Sequence, residues 1–68
     1  MTSTCTVNGR AQEAEPGDTV ASLLDRLGLA AKYALVERNG EPVERALYEE
    51  TALADGDTLV VARPVAGG

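Results

Sequence analysis

The sequence has no histidine, tryptophan or phenylalanine, and only one cysteine, Cys5, and one lysine, Lys32, in 68 residues. A single cysteine forbids an intramolecular disulfide, and without histidine no cysteine/histidine cluster can hold zinc. Cys5 is expected to stay a reduced thiol in the cytoplasm. Tyr33 and Tyr48 supply the only aromatic area, so the core falls to Val, Leu and Ala. Basic residues are also scarce: six against eleven acidic ones give a net charge of −5. That sign repels phosphate backbones, which argues against nucleic acid and for docking on a positively charged protein surface. No stretch approaches the ~20 apolar residues of a membrane span, and MTSTCTVNGR lacks a basic region followed by an apolar run, so no membrane or export role is expected.

The length supports one domain whose core is thin, with roughly 60% of its unfolded surface buried and no room for a deep cleft. A hydrophobic fraction of 44% is that of a globular chain. Thr4 to Val7 alternate polar and apolar, Asn8-Gly9 interrupts, and Arg10 to Ala14 alternate again, which predicts a β-hairpin with Cys5 and Val7 on one face. A buried free cysteine acts as a small hydrophobe, so Cys5 is expected in the core. Pro16-Gly17-Asp18 then turns the chain, and Thr19 is placed to cap a helix starting at Val20. Val20, Leu23, Leu24 and Leu27 form one apolar stripe, while Ser22, Asp25 and Arg26 are expected to face water. Gly28 closes the helix. So short a helix cannot stand alone and must lie on a sheet.

Ala34 to Arg38 predicts a third strand, and Asn39-Gly40 a second tight turn into a brief edge segment, Glu41-Pro42-Val43. Glu44 to Ala54 lacks a clean period and is expected to be a loop with a short helical turn. Asp55-Gly56-Asp57 serves a turn, since further ligands at calcium-loop spacing are missing, and leads into Thr58 to Arg63, the most β-prone run. Pro64 has no N–H to donate and ends the ladder near Arg63. The order strand, strand, helix, strand, short strand, strand predicts an α+β layer in which one main helix packs on one face of a mixed sheet of four to five strands. Residues 1–63 then form the domain, and 64–68 a flexible tail ending on Gly67-Gly68.

A terminal carboxylate is a poor electrophile at neutral pH and needs activation. Attack on the α-phosphate of ATP would give an acyl-adenylate open to sulfur, nitrogen or oxygen nucleophiles. Val65, Ala66 and Gly67 suit a segment that threads a narrow channel to bring Gly68 to a partner's catalytic groups. Val60 and Ala62 have the parity opposite to Leu59 and Val61 and so fall on the face the helix leaves open, a candidate docking strip. Arg63 either pairs with an acidic patch on a partner or is solvated. Pro64 stops the strand and would stiffen the exit of the tail.

Taken together, VNGR, PGDTVASLLDRLGL, ALVERNGEPVER, LADGDTLVV and the final VAGG resemble the ThiS-type sulfur carriers of the β-grasp, ubiquitin-like fold. The resemblance implies that Gly68 is adenylated by a ThiF-type enzyme using ATP and converted to a thiocarboxylate. With a sulfur donor system upstream, that sulfur would pass to a ThiG-type thiazole synthase for thiamine. It implies a protein cosubstrate, not an enzyme, and no bound cofactor or metal. PVAGG looks as much like the tail of the small subunit of molybdopterin synthase, MoaD, while length and ERNGEPVER favour the ThiS type. A carrier for a sulfur-containing secondary metabolite would look equally ThiS-like. A ubiquitin-like modifier joined to amines through Gly68 is the alternative of another class.

Overall fold

A computed structural model describes residues 3–63. The expected tail, Pro64, Val65, Ala66, Gly67 and Gly68, lies outside the described residues. The elements run β1 (Ser3–Val7), β2 (Arg10–Ala14), α1 (Val20–Arg26), β3 (Leu35–Arg38), β4 (Glu41–Val43) and β5 (Thr58–Ala62), with 3₁₀ turns at Ala31–Tyr33 and Arg45–Leu47. The strand order is β2-β1-β5-β3-β4. β1 and β5 run parallel at the centre, and every other pair is antiparallel. This is the expected α+β mixed sheet with one helix.

Both Asn-Gly pairs turn as their chemistry requires. Asn8 and Gly9 have φ of 51° and 84°, and Asn39 and Gly40 have 53° and 86°, the doubly left-handed geometry of a two-residue hairpin whose twist matches that of its strands. α1 opens on a capping box: the Ser22 N–H donates to the Thr19 side chain, and Ser22 Oγ accepts from the Thr19 N–H at 2.8 Å. It closes at Gly28, φ 76°, where the N–H of Gly28 bonds Asp25 O and that of Leu29 bonds Leu24 O. These two reversed bonds satisfy carbonyls the helix would leave free.

The core lies between α1 and one face of the sheet and joins Val20, Leu23, Leu24, Ala34, Val36, Tyr48 and Leu59. Cys5 and Ala14 are buried on the same side of the sheet. Leu27 departs from the expected stripe and is 36% exposed. The helix ends at Arg26 with Leu27 as its C-cap, so that side chain reaches past the core, and Leu29, returned by the glycine turn, packs there instead. Ser22 and Arg26 do not simply face water. Ser22 serves the cap, and Arg26 bonds the buried Asp18 at 2.7 Å. Three strand boundaries also shift: β1 begins at Ser3, β3 begins at Leu35 and β5 ends at Ala62.

The loop after β4 is strapped to the start of the helix. The Val20 N–H donates to Thr51 O, the Ala21 N–H to Tyr48 O, and the Leu53 N–H to Asp18 O. Tyr48, only 2% exposed, donates its hydroxyl to Ala34 O at 2.8 Å. Its ring fills a core short of aromatic residues, and the hydroxyl still finds the partner that burial demands.

Candidate functional site

β5 carries the chain out of the sheet, so its geometry sets how anything attached beyond Arg63 is presented. Asparagine side chains from both hairpins grip it. At its start, the Thr58 N–H donates to Asn39 Oδ1 at 2.9 Å and Asn39 Nδ2 donates to Asp57. At its far end, the Val61 N–H donates to Asn8 Oδ1 at 2.8 Å, and Asn8 Nδ2 donates to Val61 O at 3.0 Å. β1 stops at Val7, and the Asn8 amide supplies the donor and acceptor that a further strand residue would have offered. The last strand is thus held two residues before Arg63. Sequence reasoning took both asparagines as turn residues only; nothing local in Asn-Gly signals a partner 53 residues away.

Asp57 anchors the base of β5. It is buried and accepts from Arg38 Nε at 2.9 Å, from Asn39 Nδ2 at 3.0 Å and from the Ala54 N–H at 2.8 Å. Burial alone would raise its carboxyl, but the bonds from Ala54, Asn39 and Arg38 outweigh it and hold the group below the usual range. Asp18 is lowered too, first by the Glu15 N–H and then by Arg26. Asp57 therefore serves more than the expected turn: it ties β5 to the β3–β4 hairpin.

The open face of the sheet has the apolar strip expected there. Val60 is 47% exposed and Ala62 is exposed. The pairing sets Leu35 opposite Ala62, and Glu37 opposite both Val60 and Pro42. Leu35, 52% exposed, and Pro42 thereby widen the strip into a shallow groove of about 270 Å³. Leu35 was missed, although its parity against Val36 in ALVER was a usable signal. Arg63, the last described residue, is exposed.

Cys5 is buried and donates its Sγ to Ala54 O at 3.6 Å. Burial, then the negative charges of Asp57, Asp55 and Asp18, push its thiol up, so it stays protonated and unreactive near neutrality. Among the described residues, no group of three or more acidic, cysteine or histidine side chains could hold a metal ion. Every buried side-chain nitrogen and oxygen among them has a partner. No helix among them is long and apolar enough to cross a membrane.

The profile of the ThiS family matches residues 5–68. The chain belongs to the ThiS family. Its fold also matches the crystal structure of a thiamine biosynthesis protein (ThiS) from Geobacter metallireducens, at 36% identity and a TM-score of 0.75 over 96% of this chain and 99% of that one. The solution structure of a thiamine biosynthesis protein from the same organism gives 35% identity and a TM-score of 0.74, over 96% and 87%. Two curated relatives are thiazole synthases, from Paramagnetospirillum magneticum at 36% identity and Magnetococcus marinus at 37%. Each match takes in 91% of this chain and 19% of the relative, so the chain spans about a fifth of their length.

Proposed function

We propose that this ThiS-family chain is a sulfur carrier of thiamine biosynthesis that works through the carboxylate of Gly68. The observation that carries this reading is the reach of the family match, which runs through the terminal glycine. Activation consists of attack by a carboxylate oxygen on the α-phosphorus of ATP in a ThiF-type enzyme, with pyrophosphate leaving. The terminal sulfur of a donor persulfide then attacks the acyl carbon and AMP leaves. A thiol next attacks the donor sulfur of that acyl disulfide, forming a disulfide with the donor and releasing the thiocarboxylate as the S–S bond breaks. The carrier binds no cofactor of its own and catalyses no step; ATP belongs to the activating partner. A buried, protonated Cys5 agrees with sulfur carried on Gly68 and not on the thiol.

The acceptor is a ThiG-type thiazole synthase. In its support, stretches resembling this chain occur within two proteins named thiazole synthase, which favours the thiazole route over molybdopterin or a secondary metabolite. The open strip of Leu35, Val60 and Ala62 is the docking face, with Val65, Ala66 and Gly67 threading the partner's channel. Incubation with a ThiF-type enzyme, ATP and a sulfur donor tests the reading by intact mass. The expected product has one oxygen replaced by sulfur, and deletion of Gly68 abolishes it. Higher-mass adducts on protein amines would instead support a modifier and overturn the carrier.

A further inference from the structure

Both tight turns of the sheet pair an asparagine with a glycine, Asn8-Gly9 and Asn39-Gly40. In water that dipeptide carries its own chemistry. The glycine nitrogen, once it has lost its proton, can attack Cγ of the preceding asparagine, because glycine has no Cβ to stand in the way. The Cγ–Nδ2 bond breaks, ammonia leaves after taking a proton from water, and a cyclic imide forms. Water then opens the ring at either carbonyl and gives aspartate or isoaspartate, so the net change is one water gained and one ammonia lost.

Both glycines are open to this reaction. Apart from their chain neighbours, no atom lies within 4 Å of where a Cβ would stand on Gly9 or Gly40, and both asparagines are exposed. Among the described residues neither glycine N–H has an acceptor. The restraint is on the asparagine side chains. Closing the imide ring fixes the backbone and side-chain torsions of the asparagine, so each amide must first let go of β5.

The two grips differ. The Asn39 N–H donates to Thr58 O at 2.7 Å, its Oδ1 accepts from the Thr58 N–H at 2.9 Å, and its Nδ2 donates to Asp57 at 3.0 Å. Asp57 is buried and also bonds Arg38 and Ala54. Freeing Asn39 strips a buried carboxylate of a partner, and that charge opposes the anion formed as the ring closes. Asn8 sits at the other end of the strand. Its pairing with β1 stops at Leu59, whose carbonyl accepts from the Asn8 N–H at 2.9 Å. Past that point, among the described residues, the Asn8 amide is what holds Val61 on the β1 side. Opening there breaks two exposed bonds and uncovers no buried charge.

We propose that Asn8 is a site of spontaneous deamidation, gated by release of its amide from Val61, and that its isoaspartate product frees the end of β5. The aspartate product places an oxygen where Nδ2 donated to Val61 O, so one of the two bonds is lost. Isoaspartate adds a methylene to the main chain inside a two-residue turn, and the register that brings the side chain to Val61 goes with it. Water is the only co-reactant, so the modification stands whether or not Gly68 carries sulfur.

The test is incubation of the full chain in mildly alkaline heavy-oxygen water, folded and in urea, followed by peptide mass spectrometry of both turns. Heavy oxygen marks product made during the incubation. In the folded protein Asn8 is expected to deamidate about tenfold faster than Asn39. In urea, where neither side chain is held, the two rates should agree within about threefold, and both should exceed their folded values. The isoaspartate form, isolated by chromatography, should exchange its Val61 amide hydrogen about tenfold faster than the unmodified protein. No product at Asn8 in the folded protein, an Asn39 rate equal or higher, an Asn8 rate that folding does not slow, or unchanged Val61 exchange would each overturn the proposal.

Discussion

Tyr48 supplies what a core without phenylalanine or tryptophan lacks, and its hydroxyl is committed to Ala34 O. Removing only that oxygen, by Tyr48→Phe, keeps the ring but leaves Ala34 O with only the long 3.5 Å bond from Arg45. We expect a loss of about 1–2 kcal/mol in urea denaturation. Asp18 and Asp57 govern the response to acid. Both are lowered in the fold relative to the ordinary carboxyl. Their stabilisation is therefore fully present above the unfolded value near 3.9 and is lost as pH falls through the lower folded values. Thermal unfolding should show Tm declining steadily below about pH 4. Asp57→Asn should lower Tm at neutral pH and make that acid decline shallower.

At the scale of elements, the two Asn-Gly hairpins each do a second job by reaching β5. Asn8→Ala removes both bonds to Val61 and puts a Cβ-bearing residue that rarely adopts positive φ at 51°. Asn8→Gly removes the same bonds but keeps the turn. Denaturation should find Asn8→Ala the more damaging, by about 1 kcal/mol. In both variants the Val61 amide should lose protection from hydrogen exchange, since its acceptor is gone. Helix α1 shows a related division of labour. Its start and stop are local, in Thr19 and Gly28, but its seven residues are too few to be stable without the sheet beneath them.

For the molecule as a whole, the helix covers one face of the sheet and leaves the other open, the face proposed above for docking. Leu35→Thr with Val60→Thr makes the strip polar while placing β-branched residues in the strands and adding no charge opposite Glu37, so stability should change by no more than about 1 kcal/mol. Binding to the adenylating enzyme and to the thiazole synthase, measured by titration calorimetry, should weaken. Unchanged binding to both would remove the open face from the docking reading.

Much of this was legible in the sequence because the signals involved are local. Asn8-Gly9 and Asn39-Gly40 demand left-handed backbone, Thr19 and Gly28 mark helix ends, and strand parity placed Val60 and Ala62 outside. The family resemblance in VNGR, ERNGEPVER and VAGG likewise needed no coordinates. Only the tertiary structure decided that Leu29 and not Leu27 closes the core, that Tyr48 is buried, and that Leu35 and Pro42 complete the outer strip. The same holds for Asn8, Asn39 and Asp57 as anchors of β5. Dihedral preference and hydrophobic period act over a few residues, whereas which polar side chain is buried and paired depends on which strands meet. Here the meeting that matters brings Asn8 to Val61 and Asn39 to Thr58, across gaps of 53 and 19 residues that no local pattern spans.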